Sequence, residues 1–142
     1  MAGRGRRALK WAAASADAVL PTSGLVVLAY HRVGTGGTTQ MDLPLDRFRA
    51  QMAELADSHR VLSLDQALDE FAAERTGSDP AVALTFDEGP SGATKQILQV
   101  LKEKGVTATF FLSGDAAEAS PATAKAIVDA GCEIGSNSYS DD

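Results

Sequence analysis

Two adjacent carboxylates, Asp87 and Glu88, have the clearest capacity for chemistry in this chain. They follow an apolar run, residues 81–86, that is typical of a buried strand, and a Gly-Pro turn comes directly after them. Neighbouring side chains at a strand end point in different directions, so one carboxylate can hold a cation while the other accepts protons. The pair therefore predicts a hydrolytic site.

The rest of the chain alternates between strand and helix patterns. Apolar or β-branched runs predict strands, and apolar residues at intervals of three and four predict amphipathic helices. The predicted strands are residues 24–30, 60–62, 81–86, 106–112 and 132–135. Four helices are predicted. The first comprises residues 45–57, and the second follows the capping box of Ser63 and Gln66 and has Leu68 and Phe71 on its apolar face. The third ends at Gly105, and the fourth runs from Pro121 to Gly131. Residues 34–40 are polar and glycine-rich and are predicted to be a loop.

This alternation predicts an α/β fold with a parallel sheet and right-handed crossovers. The first strand is apolar on both faces, which is typical of a parallel sheet covered by helices. Loops that follow the carboxyl ends of such strands share one rim, where active sites collect. On that rim we expect His31 after the first strand, Asp87 and Glu88 after the third, and Asn137 with Asp141 after the fifth.

Composition and charge limit the classes of function. The chain has 142 residues, 44% of them hydrophobic, which is enough for one domain with a core and argues against a disordered protein. The formal net charge of −6 argues against a nucleic-acid partner, because phosphate binding relies on a basic patch. The single cysteine, Cys132, excludes an internal disulfide and is expected to pack as a small apolar residue.

Residues 1–23 form a basic N-terminal segment that we expect to be a short helix or a tail. Its arginine pair and alanine-rich run resemble a signal peptide poorly, because Asp17 interrupts a hydrophobic region that is already short. No stretch approaches the roughly 18 apolar residues of a membrane span. The sequence leaves the compartment open, and a cytoplasmic location is compatible with it.

Three blocks of sequence resemble the polysaccharide deacetylase family, carbohydrate esterase family 4, which carries the NodB-homology domain. The blocks are TFDEGP at 85–90, TATFFL at 107–112 and GCEIGSNSYSD at 131–141. The segment around His31 is similar to the permuted subgroup that deacetylates poly-N-acetylglucosamine. The resemblance extends over residues 25–142. It implies that residues 24–142 are the N-terminal part only of a deacetylase domain, a partial distorted (β/α) barrel with parallel strands.

The resemblance also implies an activity, a metal-dependent carbohydrate N-deacetylase that acts on N-acetylated polysaccharides or oligosaccharides. It assigns Asp87 as the general base and His31 as the general acid, and it places a divalent metal, zinc in the family, on Glu88, Asn137 and Asp141. Water activated by the metal would attack the amide carbonyl, while the base takes a proton and the acid protonates the leaving amine. A location in the cell envelope or outside the cell is implied as well.

The implied metal ligands depart from the family pattern, which has an aspartate and two histidines. Glu88 keeps a carboxylate but extends it by one methylene, Asn137 offers a neutral carbonyl, and Asp141 offers oxygen in place of imidazole nitrogen. Such an oxygen set suits Mg²⁺, Mn²⁺ or Ca²⁺ better than Zn²⁺. Because these cations lower the pKa of water less than zinc does, we expect slow deacetylation or none.

Plainer interpretations of the same residues remain open. Asp87 and Glu88 could form a turn and a helix cap, His31 could be a structural residue at a strand end, and Asn137 with Asp141 could be a polar loop. The later family motifs would lie beyond the last residue, so we expect a fragment, a truncated product, or a half barrel completed by a partner chain. The alternatives to a deacetylase are therefore a catalytically degenerate glycan-binding relative and an inactive truncated fragment.

Overall fold

The computed structural model describes residues 24–75, 80–87 and 89–140. The N-terminal segment, predicted to be a short helix or a tail at residues 1–23, lies outside them. None of the helices that the structure describes is both long enough and apolar enough to cross a bilayer. The described elements are, in order, β1 (Leu25–Tyr30), β2 (Arg32–Val33), β3 (Asp42–Leu43), α1 (Leu45–Ser58), β4 (Arg60–Leu62), α2 (Leu64–Ala72), β5 (Ala81–Phe86), α3 (Thr94–Lys104), β6 (Thr109–Leu112), α4 (Gly114–Ala119), α5 (Pro121–Asp129) and β7 (Glu133–Ser136).

Five of these strands form one parallel sheet, as the sequence pattern predicts. Its order is β1-β5-β6-β7, and β4 pairs with the first half of β5. The short strands β2 and β3 form a separate parallel pair that the sequence did not predict. Within the described residues the sheet is open, because the strand path ends at β1 and β7. The α/β fold with parallel strands is therefore confirmed, and an open sheet is compatible with part of a (β/α) barrel.

Strand β5 is the centre of the fold, because all of its side chains are buried. It shares one hydrophobic cluster with the inner faces of α1, α3 and α5, which include Phe48, Met52, Leu98, Leu101 and Ile127. Strand β1 differs from the prediction, since Val26 and Leu28 are buried while Val27 is 38% exposed. Alternate residues of a strand face opposite sides, and the described helices cover only one side of β1.

Helix α2 begins as predicted but buries a different face. The hydroxyl of Ser63 accepts from the main-chain N–H of Gln66, whose side chain accepts from the N–H of Ser63, which completes the capping box. Ala67 is fully buried, whereas Leu68 and Phe71 are 47% and 58% exposed. The predicted apolar face is therefore wrong, because the small Ala67 side chain occupies the buried position on the sheet side of the helix.

Strand β6 begins at Thr109 and not at Val106, where the sequence pattern predicts its start. Gly105 ends α3 in the left-handed region with a φ of 66°. The N–H of Val106 then donates to the carbonyl of Leu101 at 3.0 Å. This helix cap occupies residues that β-branched composition alone assigns to the strand.

Glu133 connects β7 to the start of α2. Its carboxylate accepts from Thr109 Oγ1 at 2.8 Å, and it also accepts hydrogen bonds from the Ser63 side chain and the main-chain N–H groups of Leu64 and Asp65. Partial burial alone would raise the pKa of Glu133, but these hydrogen bonds outweigh burial and hold the pKa below its ordinary value. The folded state therefore favours the ionised form of this side chain.

The substitution Glu133→Gln should reduce the loss of stability in acid. Because the folded pKa lies below the unfolded value of about 4.3, the contribution of Glu133 is complete above that pH and is lost as the pH falls through the folded pKa. Urea unfolding across the acid range should show a shallower fall in the free energy of unfolding for the variant. Glu54→Gln on the exposed surface of α1 is the control, and equal slopes for all three proteins would contradict the assignment.

Candidate functional site

His31 and Asp87 meet at the carboxyl edge of the sheet. Strands β1 and β5 pair in parallel with Tyr30 opposite Phe86, so the residues that follow the two strands emerge side by side. The N–H of Asp87 continues this pairing by donating to the carbonyl of Tyr30 at 3.0 Å. The sheet thus brings together two side chains that are distant in sequence.

The side chains of His31 and Asp87 are close to each other without being hydrogen-bonded. Nε2 of His31 lies 3.7 Å from Oδ2 of Asp87, which is beyond the usual hydrogen-bond range of about 2.7–3.2 Å. The two side chains are 42% and 34% exposed, so solvent and ligands can reach both. An imidazole and a carboxylate in this arrangement can donate and accept protons on one bound molecule.

An aromatic cluster lies behind this pair. Tyr30 stacks on Phe86 with ring centroids 5.3 Å apart, and Phe86 stacks on Phe110 with centroids 4.6 Å apart. Phe48 of α1 contacts Tyr30 and Phe86 edge to face. Because Tyr30 and Phe86 immediately precede the two candidate residues, this packing fixes the strand ends from which those residues project.

The hydroxyl of Tyr30 has a structural role in this cluster. It donates to Oε1 of Gln51 on α1 at 3.1 Å. Burial raises the pKa of Tyr30 above its ordinary value, because the charged phenolate would lose its hydration. The hydroxyl therefore keeps its proton at neutral pH and cannot serve as a base there.

The substitution Phe86→Ala should be strongly destabilising. The Phe86 side chain is 2% exposed, and its removal from the packed cluster leaves a cavity that should cost about 3–5 kcal/mol in the free energy of unfolding. Phe71→Ala is the matched control, because Phe71 is 58% exposed and should cost about 0.5 kcal/mol or less. Urea unfolding measures both, and similar losses would mean that the cluster does not stabilise the site.

Asn137 joins the same edge of the sheet from the end of β7. Its main-chain N–H donates to the carbonyl of Leu112 at 3.0 Å, which extends the pairing of β6 with β7. Its side-chain Nδ2 donates to the main-chain carbonyl of Asp87 at 3.3 Å. The structure thus brings two of the predicted site residues, Asn137 and Asp87, into contact. His31 follows β1, which pairs with the opposite side of β5, the strand that ends just before Asp87.

The segment that follows Asn137 is held against the start of α4. The N–H of Gly114 donates to the carbonyl of Ser138 at 2.8 Å, and that of Asp115 donates to the carbonyl of Tyr139 at 2.9 Å. A Cβ at Gly114 would lie 2.7 Å from the Tyr139 ring, so this close approach requires glycine. Sequence reasoning missed the contact, although a glycine just after a buried strand is a signal for such an approach.

The predicted metal ligands are only partly within the described residues. Glu88 and Asp141 lie outside them, and Asn137 is the one that the structure describes. Because its Nδ2 donates to the carbonyl of Asp87, the amide oxygen is the atom that Asn137 has for a cation. An amide oxygen fits Mg²⁺ or Ca²⁺ better than it fits zinc. Among the described residues, His, Cys, Asp and Glu side chains form no group of three or more that could hold a metal ion.

A cavity of about 350 Å³ opens beside His31. Thr35 and Asp42, from the loop after β2 and from β3, form part of its lining, and Thr94 of α3 lies in the lining as well. Sequence reasoning did not single out Asp42. Its position could have indicated a role, because Asp42 follows a loop rich in glycine and threonine. Acidic residues in such places commonly accept hydrogen bonds from the loop.

Comparisons with known proteins relate the second half of the chain to one family. Residues 74–142 match the polysaccharide deacetylase family, a range that includes Asp87 and Asn137 but not His31. The chain is also similar to the peptidoglycan-N-acetylglucosamine deacetylase of Bacillus cereus. The two are 50% identical over 60 residues, which are 42% of this chain and 22% of that protein.

Two solved structures are similar to the fold. The Streptococcus pyogenes deacetylase PplD in complex with acetate superimposes with a TM-score of 0.69 and 18% identity, covering 82% of this chain and 57% of that chain. IcaB from Ammonifex degensii superimposes with a TM-score of 0.65 and 23% identity, covering 82% of this chain and 54% of that chain. At these identities the likeness shows the fold alone. The chain spans between 11% and 22% of the length of the first curated relatives that it matches.

Proposed function

We propose that this chain, which is a partial member of the polysaccharide deacetylase family, supplies the acid and the base for hydrolysis of N-acetyl groups on amino-sugar polymers. The observation that carries the proposal is the 3.7 Å approach of His31 Nε2 to Asp87 Oδ2 at an accessible edge of the sheet. The family match supports the choice of Asp87, because it covers that residue. The choice of His31 rests on its position beside that carboxylate.

Asp87 is the proposed general base. Its carboxylate accepts a proton from the water whose oxygen attacks the carbonyl carbon of the acetamido group. Two hydrogen bonds anchor the main chain of Asp87. Its N–H donates to the carbonyl of Tyr30, and its carbonyl accepts from the side chain of Asn137. Such anchoring lowers the cost of holding the base in a reactive position.

His31 is the proposed general acid. As the bond between the carbonyl carbon and the nitrogen breaks, Nε2 of His31 gives its proton to the nitrogen, and the products are acetate and a free amine. The gap between His31 and Asp87 exceeds a direct hydrogen bond, so a substrate amide can lie against both groups. Both side chains are accessible, which a polymeric substrate requires.

Glu88, Asn137 and Asp141 are the proposed holders of a divalent cation, because the family is generally metal-dependent. When bound, such a cation polarises the scissile carbonyl and increases the acidity of water. The three side chains offer oxygen atoms only, which supports Mg²⁺, Mn²⁺ or Ca²⁺ over zinc. The hydrogen bond from Asn137 to Asp87 would also link the cation-binding segment to the base.

The proposed substrate is an N-acetylated glycan of the cell envelope. Several of the curated relatives are named peptidoglycan deacetylases, including proteins of Bacillus cereus, Listeria monocytogenes and Bacillus subtilis. These names support an envelope or extracellular location for the reaction. They also support an amino-sugar polymer as the partner of the accessible His31–Asp87 pair.

Acetate release tests this function. The purified chain is incubated with chitotetraose or with peptidoglycan fragments while Mg²⁺, Mn²⁺, Ca²⁺ and Zn²⁺ are added one at a time. Release that a chelator stops would support the proposal, and no release with any ion in a folded sample would remove it. Glycan binding without turnover, unchanged by chelator, would instead favour a non-catalytic glycan-binding role.

A further inference from the structure

Two buried residues with hydroxyl groups lie next to the segment that follows Asp87. Thr94 is 2% exposed and Ser113 is 3% exposed. Thr94 begins α3, and Ser113 directly follows β6. Because a buried polar group is costly unless it makes hydrogen bonds, the partners of such a residue indicate what it does.

The hydroxyl of Thr94 holds the turn that precedes α3. Its Oγ1 accepts from the main-chain N–H of Ser91 at 2.8 Å, and the N–H of Thr94 donates to the carbonyl of Ser91 at 3.1 Å. The hydroxyl of Ser91 also accepts from the N–H of Ala93 at 3.3 Å. All three hydrogen bonds form within four residues, so they constrain the backbone of this turn locally.

Gly89 packs against this turn. Its φ of 121° favours glycine, and a Cβ there would lie 3.2 Å from the main-chain nitrogen of Ser91 and 3.6 Å from Oγ1 of Thr94. The carbonyl of Gly89 accepts from the main-chain N–H of Ser113 at 3.3 Å. The turn that Thr94 holds therefore contacts the backbone two residues after Asp87.

Three hydrogen bonds join the loops after β5, β6 and β7 in a closed circuit. They run from Ser113 to Gly89, from Gly114 to Ser138, and from the side chain of Asn137 to the carbonyl of Asp87. Each loop in this circuit limits the movement of the next, and the loop after β5 carries the proposed base. Loss of the Thr94 hydroxyl would therefore loosen the main chain that carries the Asp87 carboxylate without removing a group that reacts.

We propose that Thr94 is a positioning residue for Asp87, because its hydroxyl holds the turn that keeps the main chain of the base in place. That Asp87 is a base rests on the proposed function, whereas the contact of the turn with its main chain rests on the geometry above. Thr94 also lines the cavity beside His31, so direct contact with a bound molecule is the competing role. A positioning residue acts on kcat, whereas a contact made equally in the ground state and the transition state acts on KM.

The substitution Thr94→Val tests this role, because valine has nearly the shape of threonine but cannot accept from the N–H of Ser91. In the acetate assay with chitotetraose we expect kcat to fall about tenfold, since a small displacement of a reacting group has a large kinetic effect. KM should stay within about twofold of the wild-type value. Thr94→Ser keeps the hydroxyl and should restore kcat, and Thr94→Ala should repeat the loss with a side chain that fits any space left for valine.

Amide hydrogen exchange measures the same role without reference to turnover. In Thr94→Val the N–H of Ser91 loses its acceptor, so it should exchange about tenfold faster, as the loss of one hydrogen bond implies. The N–H of Asp87, which donates to the carbonyl of Tyr30, should also exchange faster, by a smaller factor, because its own acceptor remains.

The matched control is Thr107→Val, which also removes a threonine hydroxyl that makes a hydrogen bond. Thr107 Oγ1 donates to the carbonyl of Gly131 at 3.1 Å. Because Thr107 precedes β6 while Asp87 follows the parallel strand β5, the two residues lie at opposite edges of the sheet. Thr107→Val should leave kcat and the exchange of the Asp87 amide unchanged.

The outcomes separate this inference from the proposed function. Equal exchange of the Asp87 amide in the wild type and Thr94→Val would overturn the positioning role. A loss of activity that lies in KM, that serine does not restore or that Thr107→Val shares would overturn it as well. No acetate release by the wild type would remove the proposed hydrolysis, and exchange at Asp87 would still decide whether Thr94 holds that main chain.

Discussion

Asp87→Asn should reduce the rate of acetate release by about 10²–10⁴-fold, the usual contribution of a positioned general base. The amide has nearly the shape of the carboxylate but cannot accept a proton from the attacking water. The hydrogen bonds that join Asp87 to Tyr30 and to Asn137 use the main chain of Asp87 and not its side chain, so the fold should persist. Comparison of kcat with KM should place the loss in kcat.

Asp57→Asn is the matched control for this variant. Asp57 is an exposed acid on α1, so the same exchange there removes a negative charge without touching the candidate site. Its acetate release should equal that of the wild type. A residual rate in Asp87→Asn within about twofold of the wild type would exclude Asp87 as the base, because loss of a general base has a far larger effect.

The second large effect should follow from introducing the metal ligands that the family resemblance implies. The triple variant Glu88→Asp, Asn137→His and Asp141→His offers zinc two imidazole nitrogens and a carboxylate, which are its usual ligands. We expect the affinity for Zn²⁺ to rise by orders of magnitude while the affinity for Mg²⁺ falls, because softer nitrogen ligands favour zinc. Calorimetry with each ion measures this without reference to activity.

A histidine pair elsewhere provides the control for zinc binding. Lys125→His with Asp129→His places two imidazoles at the same spacing on the exposed face of α5, where those residues now form an ion pair. The gain there should be much smaller, because no third ligand is expected beside them. A triple variant that gains no more than this control would show that the segment after β7 is not arranged to bind a metal.

The sequence predicted the central elements of the fold well. Strand β5 begins and ends where predicted, at Ala81 and Phe86, because a continuous apolar run is bounded by Pro80 and by Asp87. The parallel direction of the strands followed from the alternation of elements, and it predicted that His31 and Asp87 share one edge. The side-chain separation within that edge could not be predicted, because it depends on rotamers and on the packing of neighbouring strands.

Features that depend on tertiary contacts were missed. The exposure of Leu68 and Phe71 could not be predicted, because the side of α2 that meets the sheet is decided by the small Ala67 and not by the most apolar stripe. The loop closed by Asp42 has no periodic pattern, and its order comes from hydrogen bonds between residues that a loop-like composition does not distinguish. Local propensity specifies elements better than it specifies the surfaces between them.

The parallel pairing of β1 with β5 also determines when the proposed acid–base pair can form during folding. His31 and Asp87 adjoin only after β1 has paired with β5 across a long intervening segment, and pairing of strands that are distant in sequence is slow compared with helix formation. A partly folded chain can therefore contain every helix and still lack a working acid–base pair. Recovery of turnover after dilution from denaturant would report the completion of this sheet and would trail the recovery of helical circular dichroism.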